Sequence, residues 1–181
     1  MQANEIKKQI SSCSFTHRGP LFRSETAKTQ CPKRKDALPM LPAASPLLAD
    51  MAEGRTTATR LVETALAHAT DPAGEGVRVF TALYADQAMA QAAAFDQARA
   101  AGISLPPLAG LPVTIKDLFD EAGRETLAGS VASHGEGPAA QDAAAVAALR
   151  RAGAIILGRT TMTEYAFSGL GLNPHTGTPR N

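Results

Sequence analysis

At 181 residues with 44% hydrophobic side chains, the chain has the length and apolar surface for one globular domain. Aromatics make up only 4% and Trp is absent, which argues against an all-β sandwich and for helices packed through small side chains, in an α/β or all-α fold. Residues 1–39 carry eight Lys or Arg against three acidic residues, a net +5, while the other 142 carry ten against fourteen, a net −4; with no aromatic-studded basic face, the body is not expected to bind nucleic acid.

Residues 1–39 mix Lys, Arg, Ser, Thr, Gln and Pro without helical or strand periodicity, and so predict a disordered basic extension ahead of a folded domain over 40–181. A transit peptide is the alternative reading of this segment, opposed by Glu5, Glu25, Asp36 and the prolines. Met40 sits where the composition changes, so the extension reads equally as one the working protein does not need. Cys13 and Cys31, eighteen residues apart, show neither a C-x-x-C pair nor a His at ligand spacing, so no disulfide framework or metal site is expected. No apolar run has the length of a membrane helix or the form of a secretory signal; a cytoplasmic protein with no membrane partner is the expectation.

After residue 40 the pattern becomes regular. Thr56 or Thr57 can cap a helix whose face carries Leu61, Val62, Ala65, Leu66 and Ala69, ending at Asp71-Pro72. Val77, Val79, Thr81 and Leu83 alternate as a strand would. A second, Ala-rich helix is predicted over about 85–101, stopped by Gly102, with Met89, Ala92, Ala93 and Phe95 as packing residues. Leu111 to Ile115 reads as a buried strand ending at Lys116-Asp117. Asp142 would cap a helix running to Gly153, Ala154 to Leu157 would form the next strand, and Thr160 or Thr161 would open a short helix holding Met162, Tyr165 and Phe167. Strand, helix, strand in this order predicts a parallel βαβ unit. The stretch 169–181 is Gly- and Pro-rich loop.

Among chemistry-bearing residues, Lys116 stands out, because it would leave the sheet at the carboxyl end of an apolar strand, where open α/β sheets place their sites. A lysine partly withdrawn from water surrenders its proton more readily and can act as a general base; the competing reading of Lys116-Asp117 is a solvated turn. His134 and His175 read as loop histidines, without the G-x-S-x-G elbow of a Ser-His-Asp hydrolase. Gly169-Leu170-Gly171 is not a dinucleotide loop, since Pro174 stands in place of the third glycine. Arg150 and Arg151 read as solvating a helix end.

The blocks Gly110-Leu111-Pro112-Val113-Thr114-Ile115-Lys116-Asp117, Ala128-Gly129-Ser130, Asp142, Leu149 to Thr160, Met162 to Gly169, Asn173-Pro174 and Gly177 to Asn181 resemble, in order and spacing, the first half of the amidase-signature family. That resemblance spans about residues 41–181. It implies a mixed sheet wrapped by helices, no metal or organic cofactor, and a Ser/cis-Ser/Lys triad in which Lys116 draws a proton through a bridging serine from a nucleophilic serine, giving an acyl-enzyme that water releases. It further places Ser130, Ala166, Phe167 and Ser168 at the substrate; Ser130 reads equally as a turn residue and Phe167 as core. The segment carrying both serines would follow Asn181. The expectation is therefore a truncated amidase of small amide substrates, inactive alone and completed by a complementary C-terminal fragment, with an inactive remnant or interaction module as the alternative.

Overall fold

The computed structural model describes residues 43–180, so the extension expected over 1–39, with Cys13, Cys31 and Met40, lies outside the described residues. Helices α1 (Ala44–Ala52), α2 (Ala58–Thr70), α3 (Gly76–Val79), α4 (Ala85–Ala100) and α5 (Ala144–Arg151) surround strands β1 (Phe80–Leu83), β2 (Pro112–Lys116) and β3 (Ile155–Thr160). The strands form one mixed sheet in the order β1-β3-β2, with β2 and β3 parallel through α5 and β1 antiparallel to β3. This is the α/β architecture the sequence predicts, including its βαβ unit.

Strand β3 is central, and its alternation decides the two cores. Ile155 and Leu157 face Met51, Ala58, Val62, Ala88 and Ala92 of α1, α2 and α4. Ile156 faces the other way, against Tyr84, Ile115 and Val146. Ala88 and Ala92 are completely buried, four residues apart on one face of α4, so the abundant alanine serves close helix approach. Ala93, expected to pack, is exposed; the buried stripe passes through Ala88 instead, with Met89 and Phe95 at its margin.

The predicted cap at Thr57 is present, its side-chain oxygen accepting from the Arg60 N–H at 3.1 Å. A second anchor was not legible: the Asp96 carboxylate on α4 accepts from the Ala58 and Thr59 N–H groups at 2.8 and 2.9 Å, closing the start of α2 from across the core. Burial alone would raise the pKa of Asp96, but the hydrogen bonds from Thr59 and Ala58 and the Arg99 charge outweigh it and hold the carboxyl below its ordinary 3.8. Because the folded value is depressed, the contribution is complete above the unfolded pKa and is lost as pH falls through the folded one. Asp96→Asn should therefore cost about 1 kcal/mol at pH 7, and its difference from wild type in urea melts should shrink at pH 3.

Four local expectations need correction. Val77 to Val79 is a helical turn rather than strand, because Gly76 packs on the Ala69 backbone and Val77 points to solvent, leaving only Phe80–Leu83 extended. Strand β2 is not buried throughout; it pairs only with β3 among the described residues, and within it only Ile115 is buried. Asp142 does not cap α5: its carboxylate accepts from the Ala122 N–H at 2.8 Å, fastening the preceding loop, while the cap position falls on Ala143. Beyond β3 there is no short helix with a packed face, only a 3-10 turn, Glu164–Ala166, in which Tyr165 and Ala166 adopt φ values of 50° and 57°. The left-handed glycine expected after α5 is found at Gly153, with φ 85°.

Candidate active site

Lys116 ends β2, and the next residue explains how that end is built. Asp117 is buried, not a solvated turn: its Oδ1 lies 3.0 Å from Arg159 Nε, its Oδ2 accepts from the Gly129 N–H at 3.2 Å, and its carbonyl accepts from the Ala128 N–H at 3.0 Å. Both side chains of the ion pair are almost wholly inaccessible to water. Alternation along β2 turns Ile115 and Asp117 inward, and Thr114 and Lys116 outward. The Lys116 side chain is exposed, so the shielding expected from sequence is not provided by the described residues.

A second loop meets this strand end. Ala128 (φ 52°) and Gly129 (φ 70°) turn the chain back, and Ser130 caps the 3-10 turn Val131–Ser133 by accepting from the Ala132 N–H at 3.1 Å. A Cβ at Gly129 would lie 2.8 Å from the Met162 carbonyl oxygen and 2.9 Å from Asn173 Nδ2, so only glycine fits this crowded left-handed position. The Ser130 hydroxyl donates to Glu164 Oε1 at 2.6 Å, and the Tyr165 N–H donates to the Ala128 carbonyl at 2.9 Å. Non-glycine residues at positive φ are costly and gather where surrounding contacts over-determine them; Ala128, Tyr165 and Ala166 do so here on two touching loops.

Asn173 staples these loops together. Its Nδ2 donates to the Gly129 and Met162 carbonyls, both at 2.7 Å, and its Oδ1 accepts from the His175 and Thr176 N–H groups at 2.8 and 3.2 Å. Lys116, Ser130 and Ala166 thus belong to one hydrogen-bonded scaffold. Phe167 and Ser168 continue it outward: Phe167 is 96% exposed and therefore not core, and the Ser168 hydroxyl accepts from the Leu170 N–H at 3.2 Å. His175 lies 3.8 Å from Glu164, at the rim.

Behind the scaffold, buried Glu121 accepts from the Tyr84 hydroxyl at 2.7 Å and pairs with Arg150, which also lies 3.0 Å from Asp142. Arg150 therefore does not solvate a helix end as its position suggested; it holds α5 to the 120–142 loop. Burial, then the Glu121 carboxylate, push the Tyr84 phenol well above its ordinary pKa, so it remains a hydrogen-bond donor across the physiological range.

Sequence reasoning singled out Lys116, Ser130, Ala166, Phe167 and Ser168, saw in Asp117 only a turn residue, and passed over Arg159, Glu164 and the side chain of Asn173. Arg159 had a usable signal, a cation inside an otherwise apolar strand, and Asn173 had another, an Asn followed by Pro in a Gly-rich loop. Among the described residues no three His, Cys, Asp or Glu side chains gather as a metal site, and no helix is long and apolar enough to cross a membrane.

Comparison with known proteins gives a consistent match. The Amidase family model matches residues 60–181. The chain is 43% identical over 136 residues to AtzE, a component of the 1-carboxybiuret hydrolase of Pseudomonas sp. (strain ADP), covering 75% of this chain and 29% of that protein. It is 45% identical over 97 residues to the 2-amino-5-chloromuconic acid deaminase of Comamonas testosteroni, covering 52% and 20%. Among solved structures it is similar to a chain from a vestigial protein complex bearing on the origins of an s-triazine catabolic enzyme, with TM-score 0.71, 41% identity and coverage of 77% and 30%. It is also similar to the peptide amidase of Stenotrophomonas maltophilia, with TM-score 0.66, 32% identity and coverage of 78% and 30%. The chain spans three tenths or less of the length of each of these relatives.

Proposed function

The chain belongs to the amidase family, and from that premise we propose that it supplies the general base, Lys116, of a Ser/cis-Ser/Lys amide hydrolase whose two serines come from sequence outside these 181 residues. The observation that carries this reading is the placement of Lys116 on the outward face of a strand end that buried Asp117 ties to the Ala128–Ser130 loop. A base must be held where a reacting group can meet it, and fixed backbone on both sides does that. In the complete enzyme the segment bearing the serines covers the amine, which takes up the nucleophile's proton through the bridging serine and later gives it to the departing amine.

Ser130, Ala166, Phe167 and Ser168 form the substrate side. The Ser130 hydroxyl is occupied by Glu164 and Ala132, so its part is to shape the loop, while Phe167 offers the apolar contact a small amide needs. Tyr165, Leu170 and Leu172 are exposed in the same stretch and give the complementary segment an apolar surface to cover. The protein is soluble and cytoplasmic in this reading.

The test is a fusion of this chain to the part of AtzE outside the matched 29%. Release of ammonia from small primary amides, abolished by Lys116→Ala, supports the proposal; release indifferent to that change sinks it.

A further inference from the structure

Resting on that reading of Lys116, we infer that Asp117 and Arg159 are positioning residues that fix the face of the sheet on which the Lys116 amine emerges. Successive strand residues point to opposite faces, so a residue anchored inward forces its neighbour outward. Asp117 is that inward anchor and Lys116 the neighbour. Arg159 spreads two donors over the turn that follows, Nη2 to the carbonyls of Asp117 and Phe119 at 3.1 and 2.9 Å and Nη1 to the carbonyl of Glu125 at 3.0 Å, while its Nε faces the Asp117 carboxylate at 3.0 Å as an ion pair without a hydrogen bond. A planar guanidinium can span these acceptors, and a single ammonium cannot.

Two further observations separate this role from ordinary core stability. A buried ion pair is commonly no more stabilising than well-packed apolar side chains, so its presence beside the run Ile155-Ile156-Leu157 calls for a geometric reason. The strand register also bends to accommodate it: Val113 pairs with Ile156 but Ile115 with Arg159, an extra residue on β3 that swings Arg159 into line with the end of β2. The same carboxylate then receives the Gly129 N–H, so one side chain sets the base and the loop opposite it.

The body of the chain makes the idea directly testable, because Lys116 is the one lysine in residues 36–181, where the other cations are nine arginines. A lysine-specific endopeptidase therefore cuts the body only where Lys116–Asp117 opens. In the full chain, Asp117→Asn, which is nearly isosteric, and Arg159→Gln are expected to be cut at least tenfold faster than Asp96→Asn. The three are compared at urea concentrations that equalise their unfolding free energies, so that global unfolding contributes equally. Equal cutting rates would overturn the proposal. In the active fusion, Asp117→Asn should lower kcat at least tenfold with KM within twofold, an effect that a purely structural pair would not produce; unchanged kcat also overturns it. Failure of Lys116→Ala to affect hydrolysis would sink the catalytic reading instead, leaving the cutting difference intact.

Discussion

Replacing Lys116 with alanine in the completed fusion is expected to lower kcat for amide hydrolysis about a thousandfold, within the range that a positioned general base contributes, with KM little changed. The base acts on a proton in flight and not on bound substrate, so its loss falls on the chemical step. Lys116→Arg should be nearly as damaging, since a guanidinium keeps its protons at any pH an enzyme meets. That pair of variants separates base catalysis from a need for positive charge: if arginine restored the rate, the amine would be acting as an electrostatic partner. Steady-state ammonia release across the three proteins decides the matter.

The largest stability effect is expected at Asn173, which is buried and uses its side-chain donors and its acceptor on four backbone groups. Asn173→Ala leaves the Gly129 and Met162 carbonyls without their donors in a dry interior, at about 1 to 3 kcal/mol for each orphaned group. The thermal midpoint should fall by roughly 10 °C for a domain of this size. Asn173→Asp should fail as well, since a carboxylate keeps the shape but offers no N–H. Thr176→Ala, which removes only an exposed hydroxyl contact to Thr161, should cost less than about 1 kcal/mol. A drop of under 2 °C for Asn173→Ala would show that the two loops hold together without the staple.

The elements most legible in the sequence were those whose periodicity is strong and local. The face of α2, the stop of α4 at Gly102 and the left-handed Gly153 all follow from short-range patterns of apolar, capping and glycine residues. What escaped depends on distant partners. Asp142 looks like a helix cap until the Ala122 N–H, twenty residues earlier, proves the nearer donor. Asp117 looks like a turn residue until Arg159, in another strand, draws it inward. Lys116 itself was found by resemblance as much as by its place after an apolar strand. The burial expected around it was not met, because β2 lies at the edge of the described sheet rather than inside it.

The strand order carries a consequence for how the chain is made. Neither β1 nor β2 pairs with the other; each waits for β3, which leaves the ribosome some forty to seventy-five residues after them. During that interval the nascent chain carries two unpaired strands and the apolar faces of α2 and α4 without the central strand that joins them, a state open to wrong pairing and to proteases. Synthesis of β3 gives β1 and β2 their shared partner at once, so the arrival of a single hexapeptide converts separate strands into a sheet.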